Sequence, residues 1–136
     1  MTDCGEIELI NLFSGSKGNC TFIRAGKNKI LIDAGGTAKA IEGALHNLGV
    51  GMEDISAVFV THEHSDHTHA LPVLAKKYRM PVHMIKQSAA MLGICRNTPL
   101  FECLIMHEDE FRLELDGGAE IEAFCTPHDS VRCVGY

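Results

Sequence analysis

A nearly all-apolar segment, Ile55 to Val60, constrains the fold of this chain more than any other feature. Short apolar runs without polar alternation are typical of strands that are buried on both faces of a sheet. The segment leads into THEHSDHTHA, residues 61–70, which holds four of the chain's eight histidines and two carboxylates. The sequence therefore predicts a central strand with polar side chains at its carboxyl end, where α/β proteins place their functional sites.

Strands and helices predicted on either side of this segment indicate the fold class. One helix follows a cap at Thr37 and stops at Gly49, and turns at 26–27 and 116–118 join neighbouring strands. The predicted strands are 6–13, 20–25, 28–33, 81–85, 103–106, 110–115 and 120–124, the other predicted helices are 71–79 and 87–92, and another strand begins within 131–136. This order predicts an α/β layered domain with a mixed β-sheet and flanking helices.

Length and composition are those of one compact domain, which we expect to span residues 1–136. The chain is 46% hydrophobic, enough for a core, and no segment reaches the roughly 20 apolar residues of a membrane span. The amino terminus lacks the apolar stretch of a secretory signal, so we expect a cytoplasmic protein without a membrane partner. In a reducing compartment the six cysteines, which include no C-x-x-C pair, are expected to be free thiols, mostly in the core.

The net charge of −6 limits how an anionic polymer could bind. The broad basic surface that holds nucleic acid through its phosphate backbone is disfavoured by this charge. A local cation such as a bound metal would still receive an anionic substrate. Charge therefore restricts the way in which nucleic acid could bind without excluding it.

The histidine cluster has the composition of a metal site. His62, His64, Asp66 and His67 form the pattern H-x-H-x-D-H, and imidazole and carboxylate ligands suit Zn²⁺, Mn²⁺ or Fe. A catalytic ion usually has three protein ligands and a water, and His128 in TPHDS is the candidate to join His62 and His64. A solvated loop is the alternative interpretation. Thr61, Glu63 and Ser65, which fill the gaps, are expected to be solvated or to bond within the loop.

These motifs resemble the metallo-β-lactamase superfamily. The resemblance lies in H-x-H-x-D-H after an apolar strand, in ILIDAGG at 30–36 and in a distant loop histidine. The segments SGSKGN at 14–19, VFVTHEHSDH at 58–67 and CTPHDSVRCVGY at 125–136 are similar to its cytosolic bacterial branch of exonuclease-like hydrolases. The resemblance implies a metallo-β-lactamase-like mixed sheet that forms the first half of an αββα sandwich, in a domain incomplete at its carboxyl end.

The resemblance also implies two metal sites and a supporting residue. A bridging aspartate and a last histidine of the family would lie beyond Tyr136, so the first site is expected to be more secure than the second. One or two ions per chain are expected. The first metal corresponds to His62, His64 and His128, the second to Asp66 and His67, and Asp33 matches an aspartate that supports the metal loops from behind. An ordinary strand-end aspartate before a Gly-Gly turn is the alternative for Asp33.

Hydrolysis by metal-activated water is the chemistry that such a site would perform, with Asp66 as the catalytic residue. Bound zinc lowers the pKa of water from near 15.7 to about 7. The resemblance implies a phosphodiesterase or nuclease acting on DNA or RNA. The alternatives are hydrolysis of a carboxyl ester, thioester or lactam, or a metal-binding half-domain that forms a homo-oligomer through uncovered apolar faces without turnover.

The loop at 14–19 and the histidines outside the motif are the other candidate functional residues. The loop at 14–19 either places backbone N–H groups and Lys17 near a phosphate or is a plain Gly/Ser turn. Three of the remaining histidines, His46, His83 and His107, have no ligand-spaced partners and are expected to be structural or exposed. His69, just past the motif, either touches the site or is a solvated residue at the start of a helix.

Overall fold

A six-stranded mixed sheet forms the centre of the computed structural model, which describes residues 7–16, 18–108, 110–126 and 133–136. In chain order its strands are β1 (Ile7–Phe13), β2 (Cys20–Ala25), β3 (Asn28–Ile32), β4 (Ala57–Phe59), β5 (Val82–Ile85) and β6 (Leu104–His107). The spatial order is the same. Pairing is antiparallel from β1 to β3 and parallel from β3 to β6, which confirms the predicted mixed sheet.

Helices connect the parallel strands and cover one face of the sheet. They are α1 (Ala38–Asn47), α2 (Ser65–Thr68), α3 (Leu71–Tyr78), α4 (Lys86–Leu92) and α5 (Pro99–Cys103), with a 3₁₀ turn at Met52–Asp54. The Thr37 hydroxyl caps α1 by accepting a hydrogen bond of 3.1 Å from the Ala40 N–H, as predicted. Gly49 follows the helix with a φ of 76°, a conformation that glycine adopts without strain.

The central strand is buried on both faces, as its composition predicts. Val58 and Val60 point into the main core beside the helices, where Ile41, Leu45 and Leu74 are fully buried. Ala57 and Phe59 point to the opposite face and belong to a second apolar cluster. Both sides of β4 are therefore covered, and the main core lies between the sheet and the helices.

The second face of the sheet is covered by a smaller β-layer. It consists of β7 (Arg112–Glu114) paired with β8 (Glu120–Glu122) and β9 (Phe124–Thr126) paired with β10 (Cys133–Gly135). Leu113 and Ile121 pack against the second apolar cluster, whereas Arg112 and Glu122 form an exposed ion pair of 3.1 Å on the other side. The apolar side of the hairpin β7–β8 is therefore covered by the large sheet and is not one of the uncovered apolar faces of the half-domain alternative.

Two helices were missed by the sequence analysis. The turn α2 lies inside the histidine cluster, and α5 lies in a segment without a predicted element and ends at the first residue of the predicted strand 103–106. For α5 the signal is local, because the Thr98 hydroxyl accepts from the Phe101 N–H at 3.3 Å and Pro99 occupies the first turn. The following strand consequently begins at Leu104 instead of Cys103.

The four cysteines whose side chains the structure describes are free thiols, as predicted, but two of them are exposed. Cys20 is buried, Cys103 is half-buried, and Cys95 and Cys125 are exposed. The expectation that most cysteines fill the core is therefore wrong for the thiols that the structure describes. None of the helices in the described ranges has the length and apolar character that crossing a bilayer would require.

A stack of rings joins the sheet to the smaller β-layer. The ring of His83 lies 4.6 Å from that of Phe59 and 5.3 Å from that of His107, which in turn lies 3.6 Å from Phe111. His83 Nδ1 and His107 Nε2 are 3.0 Å apart, so one nitrogen donates to the other. Burial, assisted by the nearby His107, lowers the pKa of His83 to about 4. His83 is therefore a buried structural histidine, one of the two roles expected for it.

This buried histidine is expected to make the metal-free protein less stable in mild acid. Between pH 6.5 and 4 the unfolded chain protonates His83 and the folded chain does not, so the free energy of unfolding falls as the pH falls. The contribution of His83 to the change in the free energy of unfolding approaches about 1.4 kcal/mol per pH unit. Urea unfolding at several pH values should show a flatter profile for His83→Phe than for the wild type.

The exposed His46 on α1 provides the matched control, since His46→Phe should keep the wild-type slope. His67, whose pKa is raised, contributes stability that is lost above the unfolded value of about 6.5 and so acts outside this window. Equal slopes for His83→Phe and the wild type between pH 6.5 and 4 would contradict the prediction.

Candidate metal centre

The carboxyl ends of β3 and β4 bring Asp33 and the histidine cluster to one edge of the sheet. The two strands are parallel neighbours, so the residues that follow them lie side by side. The Asp33 N–H donates to the Phe59 carbonyl at 2.7 Å, and the Val60 N–H donates to the His83 carbonyl at 2.9 Å. The backbone hydrogen bonds between neighbouring strands thus continue up to the residues directly before the histidine cluster.

The structure brings the four side chains of H-x-H-x-D-H together. The ring centroids of His62 and His67 are 4.0 Å apart, and those of His62 and His64 are 4.6 Å apart. His67 Nε2 lies 3.5 Å from Asp66 Oδ2. His62 is buried, whereas the side chain of His64 is 41% exposed, so the cluster extends from the protein interior to the surface.

Asp33 supports the cluster from behind through a buried carboxylate. Its Oδ1 accepts from the Thr61 N–H at 2.7 Å, and its Oδ2 accepts from the Thr61 hydroxyl at 2.8 Å. The same Oδ2 lies 2.6 Å from His67 Nδ1. Asp33 has a φ of 65°, a left-handed conformation that aspartate tolerates better than most residues. This backbone turn directs the carboxylate toward the histidine segment.

These contacts select one tautomer for two of the neutral imidazoles. His67 Nδ1 faces a carboxylate oxygen and therefore carries the hydrogen. The single hydroxyl hydrogen of Thr61 is used on Asp33, so Thr61 must accept from His62 Nδ1 across their 2.9 Å contact. Both rings consequently have the lone pair on Nε2, the nitrogen opposite the anchored one. An imidazole held in this way is typical of metal ligands.

Asp33 also sets the electrostatics around the cluster. Burial opposes protonation of His67, but the hydrogen bond that His67 donates to Asp33 and the charges of Asp33 and Asp66 outweigh it and raise the pKa of His67. Burial, together with the charge of Asp33, raises the pKa of the Cys20 thiol to about 12. Cys20 is thus a neutral thiol near physiological pH and lacks the thiolate form that binds metals.

Two glycine-containing loops fix the turn that carries Asp66. The N–H of Asn19 donates to the Asp66 carbonyl at 2.7 Å, and the N–H of Ala34 donates to the His67 carbonyl at 2.8 Å. Gly35 passes so close to this turn that a Cβ atom there would lie 1.8 Å from the Asp66 carbonyl oxygen. The segments SGSKGN, ILIDAGG and THEHSDH therefore dock on one another through backbone contacts.

Sequence reasoning missed the parts played by Thr61 and Asn19. Thr61 does bond within its loop, as expected, but it also links Asp33 to His62. Asn19 contacts the Asp66 carboxylate with its side chain, at 3.0 Å. The available signals were the hydroxyl next to the first histidine and the amide at the end of SGSKGN, and neither reveals a partner distant in sequence.

The loop at 14–19 and His69 lie beside the cluster. Gly18 donates to the Gly15 carbonyl at 3.4 Å, which fits the turn interpretation of the loop at 14–19, while Lys17 lies outside the described residues. His69 is exposed at the end of α2, as expected. A cavity of about 250 Å³ lies between this loop and the cluster, with Ser16, Gly36, Thr37, Ser65, Asp66 and His69 in its walls.

The imidazole and carboxylate groups of the cluster are ligand types that fit a metal ion. The structure describes four of the five predicted ligands. Across residues 7–16, 18–108, 110–126 and 133–136, no group of three or more His, Cys, Asp or Glu side chains is arranged to hold an ion. His128 lies outside these ranges. The 3.5 Å between Asp66 Oδ2 and His67 Nε2 is close to the separation of about 3.4 Å between two ligands of one tetrahedral zinc. The ligand set remains a prediction.

Comparisons with known proteins point to one family. The sequence model of the metallo-beta-lactamase superfamily matches residues 14–123. Exodeoxyribonuclease YycJ of Bacillus anthracis is 35% identical over 126 residues, which are 92% of this chain and 47% of the relative. Exodeoxyribonuclease WalJ of Streptococcus pneumoniae serotype 2 (strain D39) is 34% identical over 121 residues, 88% of this chain and 45% of its own length. The chain thus spans about half the length of these curated relatives.

A solved structure shows the same fold. A B3 metallo-beta-lactamase with an active-site glutamic acid superposes with a TM-score of 0.71 at 24% identity, covering 96% of this chain and 53% of that one. At this identity the likeness establishes the fold alone. It confirms the metallo-β-lactamase-like arrangement of a mixed sheet with flanking helices.

Proposed function

Because the chain belongs to the metallo-beta-lactamase superfamily, we propose that it is a metal-dependent phosphodiesterase that hydrolyses DNA or RNA. The observation that carries this proposal is the anchoring of His62 and His67 at Nδ1 by Thr61 and Asp33. The two curated relatives described above are named exodeoxyribonucleases, which supports a nucleic-acid substrate. Since the chain spans about half of each, activity and substrate are proposals for this protein.

We assign the first metal to His62, His64 and His128, and the second to Asp66 and His67. In sequence, position 128 falls between β9 and β10, and the Val134 N–H of β10 donates to the Thr61 carbonyl at 3.0 Å. The strand β10 is therefore attached next to the carboxyl end of β4, which supports the assignment of His128 to the first metal. Zn²⁺ is the ion we propose, with Mn²⁺ or Fe as alternatives suited to the same ligands.

Asp33, Thr61 and Asp66 each have a defined part in the proposed reaction. A bound ion would supply hydroxide near neutral pH by lowering the pKa of its water. Asp33 keeps the hydrogen of His67 on Nδ1, and Thr61 does the same for His62. The Asp66 carboxylate is 30% exposed, and we propose that it accepts a hydrogen bond from the attacking water and so orients it.

The charge of the chain and its thiols fit this proposal. With a net charge of −6, a substrate phosphate is expected to bind at the metal centre and not along a basic surface. The thiols of Cys20, Cys95, Cys103 and Cys125 are free, a state that the reducing cytoplasm maintains. We therefore propose a cytoplasmic enzyme.

Removal of one proposed ligand tests the function directly. We expect His64→Ala to bind less metal per chain and to lose more than about 100-fold in the hydrolysis of bis-p-nitrophenyl phosphate with Zn²⁺ or Mn²⁺. Metal content is measured on the same samples as the rate. The control is His46→Ala, on the exposed face of α1, which should match the wild type in both measurements. Normal turnover with normal metal content in His64→Ala would refute the assignment.

The alternatives are separated by a substrate panel and a size measurement. End-labelled DNA and RNA, nitrocefin, and an acyl ester and thioester distinguish a nuclease from a hydrolase of lactams or acyl compounds. Gel filtration detects the self-associating half-domain, for which the exposed Ile7 and Leu9 on the edge strand β1 would supply the contact. A monomer that cleaves only nucleic acid is the result that the proposal expects.

A further inference from the structure

The side chain of Asn19 reaches Asp66 from a different part of the chain. Its Nδ2 donates to Asp66 Oδ2 at 3.0 Å and lies 3.3 Å from the Asp66 carbonyl oxygen. The two residues are 47 positions apart in sequence, so this contact exists only in the folded protein. Asn19 also holds the turn with its backbone, since its N–H donates to Asp66 and its carbonyl accepts from Gly35 at 2.9 Å.

The orientation of the Asn19 amide is fixed by a second pair of hydrogen bonds. The Gly15 N–H donates to Asn19 Oδ1 at 3.2 Å, and Asn19 Nδ2 donates to the Gly15 carbonyl at 2.9 Å. A flipped amide would present its NH₂ group to an N–H donor and its oxygen to a carboxylate, and both sets of bonds would be lost. The donor face of the amide therefore points at Asp66.

We propose that Asn19 is a positioning residue that sets the Asp66 carboxylate for metal binding, an inference that rests on the proposed function. The oxygen that accepts from Asn19 is Oδ2, which also lies 3.5 Å from His67 Nε2. A carboxylate oxygen has two lone pairs that can accept. The hydrogen bond from Asn19 uses one lone pair of Asp66 Oδ2 and leaves the second one on the side of the His67 ring. Rotation of the carboxylate away from His67 would break the bond to Asn19.

A purely structural role makes a different prediction. Because the backbone bonds of Asn19 to Asp66 and Gly35 do not involve its side chain, Asn19→Ala keeps both of them. If the side chain served only to hold the loop at 14–19, its loss would lower the stability of the metal-free protein and leave the metal affinity of the folded protein unchanged. A positioning role lowers the metal affinity, and it does so only when Asp66 is present.

The test is a double-mutant cycle on Zn²⁺ affinity, measured with the whole chain by competition against a chromophoric chelator. We expect Asn19→Ala to weaken binding by about 10- to 100-fold, as the loss of a partner to a metal ligand does. In the Asp66→Ala background the same change should have no further effect. The thermal midpoint of each variant in excess EDTA reports the stability of the metal-free fold separately.

The control is Asn11→Ala, the same substitution on the exposed side of β1, which should bind as the wild type does. If Asn19→Ala does not fold, Asn19→Ser takes its place with the same expectation, because the shorter serine side chain does not span the distance to Asp66. Two results would overturn this inference and leave the proposed function standing. One is an equal Zn²⁺ affinity for the wild type and Asn19→Ala, and the other is an equal loss of Zn²⁺ affinity on Asn19→Ala with and without Asp66. A wild-type chain that binds no metal would overturn it together with the proposed function.

Discussion

Replacement of Gly35 by alanine is expected to destabilise the fold and to abolish metal binding. An ideal Cβ at this position would lie 1.8 Å from the Asp66 carbonyl oxygen and 2.6 Å from the Asn19 nitrogen. Both are backbone atoms of segments that are hydrogen-bonded to one another, so neither can yield as a flexible side chain would. We expect a loss of about 3 kcal/mol or more in the free energy of unfolding, measured by urea titration with chelator present.

The helix α1 contains a matched control for this substitution. Gly43 lies in the middle of this helix, and apart from its chain neighbours and the helix backbone nothing lies within 4 Å of an added Cβ, so Gly43→Ala should stabilise the protein by about 1 kcal/mol through helix propensity. The same chemical change thus has opposite signs at the two positions. A Gly35→Ala variant that is as stable as the wild type and takes up metal would show that the loops do not approach as described.

Asp33 is the second position where a small change has a large expected effect. Asp33→Ala removes the acceptor for the Thr61 N–H, the Thr61 hydroxyl and His67 Nδ1, and it places alanine at a φ of 65°. Hydrogen bonds to a charged group contribute about 1.5 to 3 kcal/mol each, and the left-handed backbone adds about 1 kcal/mol. We expect a loss of at least about 4 kcal/mol in the free energy of unfolding.

Asp33→Asn separates the role in the cluster from the role in the fold. Asparagine keeps the shape and tolerates the left-handed backbone, but it has only one oxygen to accept bonds from Thr61 and His67. The hydrogen of His67 should then shift toward Nε2, which ¹⁵N shifts of the metal-free imidazole detect, and zinc affinity should fall by about 10- to 100-fold. Asp116→Asn, in the turn between β7 and β8, is the control. Unchanged ¹⁵N shifts and zinc affinity would show that Asp33 does not orient the ring.

The parts of the fold that depend on local patterns were predicted from the sequence. The central strand, the hairpin of β2 and β3, and the helix capped by Thr37 all have signals within a few residues, namely an apolar run, a two-residue turn and a side-chain cap. The side chains of H-x-H-x-D-H meet because they lie within six residues at a strand end. Their role as ligands, with that of His128, stays a prediction.

The parts that depend on contacts distant in sequence were not predicted. The helix α2 is held by backbone bonds from Asn19 and Ala34, so its own sequence gives little indication of it. The apolar side chains of the hairpin β7–β8 find their cover on the large sheet, which no local pattern reveals. The roles of Thr61 and Asn19 arise in the same way, because each bonds to a residue 28 or 47 positions away.

The central claim is that histidines of this cluster hold a metal ion, and X-ray absorption at the zinc edge tests it most directly. The zinc-loaded wild-type chain should show nitrogen or oxygen neighbours at about 2.0 to 2.1 Å with the outer-shell scattering of imidazole rings, and His64→Ala should lose part of that signal. A wild-type spectrum dominated by sulfur at about 2.3 Å, or a chain that takes up no zinc, would contradict it.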